Sequence, residues 1–360
     1  MTCIAILVNY RTSAHTLGAA YSLADQEGCE VHVVDNSMDE AEARTLRMSL
    51  PEGAVLHVAD RNLGFAGACN RIYRQTESAT VLLLNPDARL LPGALAQMHK
   101  TLFSAPDVGA VGPLAYWDKD GQFMLPPSTF PSLANLLSTA VSRLHPALAR
   151  RRSSRFRNKA LALWTSKKPV RVDALSGGHV LLRRSAVEEC GGLFDERFFM
   201  YWEDSDLMER LRLGGYARLI DPAAKCQHFY EHHPAKDALI AQGWPLYAEK
   251  HFAGKFRARA AAWLEKHAKH TFSADSARML TENDAPLRFP VPADLAGGWL
   301  LEISPSPDFI PAIGRVGDGP VAVIPPECWT LFRGRDYYCR LTANKPHTPR
   351  ALYWHWQGQA

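Results

Sequence analysis

The first hundred residues alternate short, β-branched apolar runs with stretches of helical periodicity, and this alternation constrains the fold more than any other feature of the chain. Runs at residues 4–8, 31–34, 55–58 and 81–84 read as strands, and residues 13–24, 40–49, 66–75 and 93–103 read as the helices between them. Repeated strand–helix units of this kind build an α/β domain with a mostly parallel sheet flanked by helices. In such sheets ligands bind beyond the carboxyl ends of the strands.

The residues at those ends are Asn9-Tyr10-Arg11, Asp35-Asn36-Ser37, Asp60-Arg61-Asn62 and Asn85-Pro86-Asp87, all polar and three sets with a carboxylate. Turns alone favour Asn, Asp and Ser, so any one set has a purely structural reading. Asp35 has two readings, a hydrogen-bond acceptor for a nucleobase or ribose and a cap for the next helix. Asn62-Leu63-Gly64-Phe65-Ala66-Gly67-Ala68-Cys69-Asn70 places two glycines at an expected helix start, where backbone N–H groups and the helix dipole favour an anion. The first strand runs into Asn9-Tyr10-Arg11 without a glycine, unlike a dinucleotide-binding fingerprint, which argues against an NAD enzyme. Asp87 has the hard oxygen that a divalent cation bridging two phosphates requires; the alternative is a plain Asn-Pro-Asp turn.

After residues 108–114 the chain passes through a proline-rich stretch and an expected helix at 132–144. Between Gly121 and Val172 it carries ten Lys and Arg and no Asp or Glu, a stretch expected as a basic insertion or flap. Strand-like patterns return at 170–174 and 179–184, around a Gly177-Gly178 turn. Beyond them Phe198-Phe199-Met200-Tyr201-Trp202 leads into Glu203-Asp204-Ser205-Asp206 and a helix ending at Gly214-Gly215. Acids in a first helical turn are ordinary dipole partners. Here they follow flat aromatic surface suited to a sugar face, and crowded carboxylates raise one another's pKa as a general base requires. His228, with His232 and His233 close behind, ends the run 217–229 and is either structural or a metal or phosphate partner. Residues 235–268 are helical in period, with Arg257, Arg259, Lys266 and Lys269 among alanines, and 286–360 read as short strands. The expected division is therefore 1–280, with 121–172 inserted, and a β-rich accessory domain over 281–360.

Composition narrows the functional classes. At 360 residues with 47% hydrophobic and 22% charged residues, the chain suits a large globular domain plus an appendage. A net charge of +4 gives no ground for a nucleic-acid partner. Seven scattered cysteines without a C-x-x-C pair argue against a disulfide framework and for a reducing, cytoplasmic setting. No basic n-region precedes the first strand, so no signal peptide is expected, and no apolar run is long enough to span a bilayer.

Together, the segments Val33 to Ser37, Asn62 to Asn70, Leu83 to Asp87, Ser176-Gly177-Gly178 and Phe194 to Asp206 resemble a family 2 glycosyltransferase of GT-A fold, more narrowly the bacterial rhamnosyltransferase-like branch. They span about residues 3 to 250 in the family's order. The resemblance implies transfer of a sugar from a nucleotide diphosphate donor, dTDP-rhamnose or a UDP-sugar, to a hydroxyl of a bacterial surface glycan or lipid-linked acceptor, with inversion. It implies Asp204 as the catalytic base with Glu203 and Asp206 in support. Asn9, Tyr10, Arg11, Asp35, Asn62, Gly64 and Asn70 would bind the nucleotide, with Asp35 reading the base. Asp87 and His228 would hold a Mg2+ or Mn2+ ion, and Gly177, Gly178, Tyr201 and Trp202 would form the acceptor side. Asn85 stands where the family's D-x-D motif has its first acid, so that motif supplies one carboxylate instead of two.

The basic stretch motivates peripheral contact with an anionic membrane at its cytoplasmic face. A sugar-phosphate nucleotidyltransferase would share the sheet and the acids, but it calls for a glycine-rich, Arg- and Lys-containing loop after the first strand, which residues 9–17 lack. A non-catalytic nucleotide- or glycan-binding protein is the third class.

Overall fold

The computed structural model describes residues 2–229, 236–267, 277–280, 287–325, 328, 336–346, 348 and 350–356. His232, His233 and Lys269 lie outside them. The chain divides into two compact units, the first formed by residues 1–116, 128–130 and 166–254, the second by 117–127, 131–165 and 255–360.

The first unit holds β1 (Cys3–Asn9), α1 (Ser13–Ala24), β2 (Cys29–Asp35), α2 (Glu40–Ser49), β3 (Val55–Val58), α3 (Gly64–Gln75), β4 (Thr80–Leu84), β5 (Ala88–Leu90), α4 (Ala94–Leu102) and β6 (Val108–Tyr116). β1 and β4 are buried along their whole length, as apolar strands covered by helices on both faces must be. The strands join β8 (His179–Arg183) and β9 (Ala217–His228) in the order β3-β2-β1-β4-β8-β6-β9-β5. The short β7 (Val170–Arg171) pairs with β9 at the side. β3, β2, β1 and β4 are mutually parallel, whereas β8 runs antiparallel between β4 and β6. That reversal makes the sheet mixed, and it places the start of β8 beside the end of β4, where Leu84 pairs with His179.

Two helices frame the far side. α7 (Arg184–Glu189) precedes a loop to α8 (Glu203–Leu213), which has three acids in its first turn and Arg210 and Arg212 in its last, matching the helix dipole at both ends. α8 stops at Gly214-Gly215, where Gly215 takes φ 85°. α9 (Lys236–Phe252) closes the unit.

The second unit contains α5 (Leu133–Ser142), α6 (Pro146–Trp164), α10 (Phe256–His267) and β10 (Arg278–Leu280) through β16 (Ala351–Trp356). In chain order the intervening strands are β11 (Arg288–Pro290), β12 (Trp299–Ser304), β13 (Ile313–Gly317), β14 (Val321–Val323) and β15 (Tyr337–Ala343). A five-stranded sheet, β10-β16-β15-β12-β13, and the pair β11-β14 share a core containing Trp117, Phe123, Phe289, Trp299 and Trp354.

The stretch expected as a basic flap is in fact largely helical. Ser132 caps α5 by accepting from the Asn135 N–H at 3.2 Å, and Pro146 opens α6 behind the His145 cap. Its charge is also not all at the surface. Arg157 is 4% exposed, 3.6 Å from Glu302, and donates to the Ala343 and Lys345 carbonyls, while Arg340 clasps Glu302 with two bonds of 2.8 Å. No helix among the described residues is long and apolar enough to cross a membrane.

Candidate active site

Because β1, β2 and β4 are parallel neighbours, Asn9, Asp35 and Asn85-Pro86-Asp87 emerge at one edge of the sheet. Asn9 and Asp35 are register partners and both are buried. The Asn9 amide nitrogen lies 3.0 Å from Asp35 Oδ1, Ser37 Oγ and Glu42 Oε2, and its oxygen accepts from Thr16 Oγ1 at 2.7 Å. Asn9 therefore ties the ends of β1 and β2 to α1 and α2. Glu42, which also accepts from the Ser13 N–H and hydroxyl, is a member of this cluster that sequence patterns do not single out. Tyr10 and Arg11 are exposed beside it, with Arg11 at φ 56° and its N–H bonded to Ser37 Oγ at 2.8 Å.

The glycine motif opening α3 is held by side chains before and behind it. Asn62 Oδ1 accepts from the Gly64 N–H at 3.0 Å, and Asn36 bonds both the Gly64 carbonyl and the Leu63 N–H. Gly64 sits at φ 69°, and a Cβ there would come 2.3 Å from the Phe199 carbonyl oxygen. Only glycine fits this left-handed position against a backbone carbonyl. The next N–H, that of Phe65, donates to the same Phe199 carbonyl at 2.8 Å. Asn70, further along α3, bonds the backbone of Phe194 in both directions and Glu196 Oε1 at 3.0 Å. Together the two ends of the motif fasten α3 to the loop that leads into α8.

Asp87 and His228 meet where β5 begins and β9 ends. His228 Nε2 is 3.3 Å from Asp87 Oδ1, and the Phe229 N–H donates to the Asp87 carbonyl at 3.1 Å. His179 packs edge-on against His228 with ring centroids 5.2 Å apart. Burial, then the neighbouring His228, pushes the His179 pKa down to about 3, so its ring is neutral at physiological pH. Among the described residues no three His, Cys, Asp or Glu side chains converge on one metal position. Asp87 and His228 thus supply one carboxylate oxygen and one imidazole nitrogen, a pair suited to a cation that takes its other ligands from substrate phosphates and water.

The Gly177-Gly178 turn connects this corner to α8. The Asn85 N–H donates to the Gly178 carbonyl at 2.8 Å, and a Cβ on Gly178 would come 2.6 Å from Asn85 Nδ2. One residue earlier, the Gly177 N–H donates to Asp204 Oδ2 at 3.2 Å, and a Cβ there would meet Asp204 Cβ at 3.0 Å. Asp204 is partly buried. Desolvation raises its pKa against the opposing bonds from the Gly177 N–H and from Ser205.

The other acids of α8 face elsewhere. Glu203 is buried, and burial followed by the charge of Asp204 raises its pKa well above the usual carboxylate range. Among the described residues its Oε2 has no hydrogen-bond partner. Asp206 is 0% exposed, ion-pairs with Arg210 and Lys250, and hydrogen-bonds His251 Nε2, each at 2.8 Å. Arg210 in turn donates to the carbonyls of Cys190, Gly192 and Leu193. Trp202 turns toward α9. Its Nε1–H donates to the Ile240 carbonyl at 2.8 Å, and its ring lies 5.0 Å from Trp244 and 5.1 Å from Tyr247. Tyr201 and Trp202 both have positive φ, 67° and 75°. Two such residues in succession strain the backbone at the entrance to α8, a condition that clusters at functional sites.

Most of these positions fall in the stretch that the description Glycosyl transferase family 2 matches, residues 5–191, or in the loop and helix that follow it, while His228 ends β9 beyond them. The match covers more than half of the chain. The chain belongs to glycosyl transferase family 2. An N-acetylglucosaminyl-diphospho-decaprenol L-rhamnosyltransferase of Mycobacterium tuberculosis is 30% identical over 235 residues, covering 61% of this chain and 72% of the relative, and it occurs so in strains CDC 1551 / Oshkosh and H37Rv. Among solved structures the chain is similar to GalNAc-T7 with UDP, GalNAc and Mn2+, with TM-score 0.46, 15% identity and 74% of this chain but 53% of that chain covered. It is likewise similar to the mannosyltransferase PcManGT from Pyrobaculum calidifontis with GDP-Man and Mn2+, with TM-score 0.45, 18% identity and 73% of each chain covered. The family and the mixed sheet agree with the GT-A class expected from the sequence.

In this glycosyltransferase, then, the expected site residues divide by placement. Asn9, Tyr10, Arg11 and Asp35 lie at strand ends, Asn62 stands just before α3, Asp87 and His228 form a pair, and Gly177 and Gly178 bridge Asn85 to Asp204. Asn70, Glu203, Asp206 and Trp202 point instead into the packing of α3, α8 and α9.

Proposed function

We propose that the enzyme transfers a sugar from a nucleotide diphosphate donor to an acceptor hydroxyl by a single inverting displacement, with Asp204 as the base. The observation that carries this reading is the Gly177-Gly178 turn, which fixes a carboxylate of raised pKa next to the corner that holds Asp87 and His228. As the acceptor oxygen attacks the anomeric carbon, its proton passes to an Asp204 carboxylate oxygen. The bond from that carbon to the diphosphate oxygen breaks, and the electron pair leaves with the diphosphate. A base whose pKa is raised toward neutrality performs this transfer better than an ordinary aspartate. The Gly177 N–H and Ser205 hold the carboxylate's orientation.

A Mg2+ or Mn2+ ion held by Asp87 and His228 would neutralise charge on the departing diphosphate. The exposed Tyr10 and Arg11, with the buried Asp35 behind them, form the nucleoside end of the cleft, where Arg11 adds positive charge near the phosphates. Gly177, Gly178 and Tyr201 border the acceptor. The similarity to a mycobacterial rhamnosyltransferase named for a diphospho-decaprenol acceptor supports dTDP-rhamnose as donor and a lipid-linked glycan as acceptor. We assign the work to the inner face of the cell membrane.

Thermal-shift titration with UDP, dTDP and GDP, with and without Mn2+, tests the donor side directly. The expected result is stabilisation by dTDP or UDP that strengthens with Mn2+ and weakens in Asp87→Asn and His228→Asn. If no nucleoside diphosphate moves the transition, the donor assignment fails.

A further inference from the structure

The second unit carries a surface that sugar transfer itself does not require. α10 packs against α5, and α5 against α6. The side of α10 turned toward α5 is built from Ala258, Ala261 and Leu264, which are buried or half-buried. Its outer side bears Phe256 and Trp263, two turns apart, at 82% and 62% exposure. A large aromatic at such exposure is uncommon on a soluble surface, and two on one helical stripe form a patch instead of isolated residues. Arg257, Arg259 and Lys266 flank them, all exposed.

The neighbouring helices repeat the combination. α5 has no charged residue, and Leu144 at 51% exposure follows it in the connection to α6. Leu148 is exposed on the first turn of α6. Next to it α6 presents Arg150, Arg151 and Arg155, exposed, on a helix without a single acid. Arg152 and Arg157 belong to the interior, paired with Asp308 and Glu302, so the surface charge rests on the remaining arginines. Aromatic and leucine side chains within a cationic field are the composition of an interfacial, membrane-lying surface.

We infer that α6 and α10 dock on an anionic lipid bilayer through their exposed sides, with Phe256 and Trp263 entering the headgroup boundary and Arg150, Arg151 and Arg155 meeting lipid phosphates. The inference extends the proposed lipid-linked acceptor by naming the surface that brings the enzyme to it. Charge complementarity selects this occupant. The exposed charges named here, on Arg150, Arg151, Arg155, Arg257, Arg259 and Lys266, are all positive; they repel those of a second copy, whereas an anionic leaflet attracts them, by roughly fivefold in partition per basic residue at the surface.

The test is co-sedimentation of the full chain with phosphatidylcholine vesicles, with and without phosphatidylglycerol. Wild type is expected to sediment with the anionic vesicles only, and less as salt is raised. Arg150→Gln/Arg151→Gln/Arg155→Gln should lower that partition by roughly 100-fold at low salt. Phe256→Ser/Trp263→Ser should also lower it, and both variants should keep the wild-type thermal transition because the replaced side chains are exposed. Failure of wild type to sediment overturns the inference, as does wild-type partition of either variant. A dimer abolished by Phe256→Ser/Trp263→Ser, without vesicle binding, would assign the face to a second copy. The thermal shift with dTDP or UDP, measured without lipid in the same preparations, reports the donor site separately, so loss of one reading is distinguishable from loss of the other.

Discussion

Replacing Asp206 by asparagine separates two roles that adjacent acids of α8 would otherwise share. Asp206 is fully buried and holds Arg210, Lys250 and His251, each at 2.8 Å, so the substitution removes the carboxylate that all three share, while Lys250 keeps Asp195 at 2.9 Å. Breaking a buried ion pair costs about 3–5 kcal/mol. Lys250 is 26% exposed and rehydrates, and Arg210 keeps its three carbonyl acceptors, which places the loss near the low end, about 3 kcal/mol. For a unit of this size that lowers the transition by about 6–12 °C in calorimetry at neutral pH. The effect should also fade in acid. Burial alone would push the Asp206 carboxyl up, but the bonds from His251, Lys250 and Arg210 outweigh it and hold the pKa below the usual value of 3.8. Its contribution is therefore present above the unfolded value and lost as pH falls through the lowered native one. Residual transfer per folded molecule should persist. Wild-type unfolding combined with abolished transfer would refute this division of roles and move Asp206 into the chemistry.

Gly64→Ala should destabilise the first unit by at least about 1–2 kcal/mol from the left-handed backbone alone, and further because the new Cβ meets the Phe199 carbonyl; denaturant unfolding at wild-type midpoint would contradict the contact. Glu203→Gln should flatten the pH dependence of stability. Burial raises the native Glu203 pKa, so its contribution is full below the unfolded value of 4.5 and is lost as pH rises toward the native value, at up to about 1.4 kcal/mol per pH unit. Unfolding midpoints of wild type and variant compared from mildly acidic to neutral pH would show it, and parallel curves would speak against a buried, protonated Glu203.

Much of the fold is readable from the sequence because its first half obeys local rules. The runs expected at 4–8, 31–34, 55–58 and 81–84 become β1, β2, β3 and β4, and the helices between them begin and end within about two residues of expectation. The reversal at β8 is not readable, since an apolar run does not state its direction. Nor is the helical character of residues 146–164, where arginine charge obscures a modest apolar stripe of Ala149, Ala160, Leu161 and Trp164. At the site, residue type indicates the chemistry while long-range partners decide the role. Asp204 and Asp206 are two positions apart on one helix; the first meets Gly177, which lies 27 residues earlier, and the second meets His251, which lies 45 residues later. Trp202 looks like a sugar platform until α9 is folded over it. Gly177-Gly178 is the one clue to these contacts that the sequence does carry.

The most direct test of the account is the transfer rate of Asp204→Asn at saturating donor, measured together with the affinity for the donor nucleotide. Loss of a positioned general base predicts a fall in kcat of about 10²–10⁴-fold, with nucleotide binding and the thermal transition close to wild type. Transfer at the wild-type rate, or a loss traced entirely to donor binding, would contradict the assignment of Asp204 as the base.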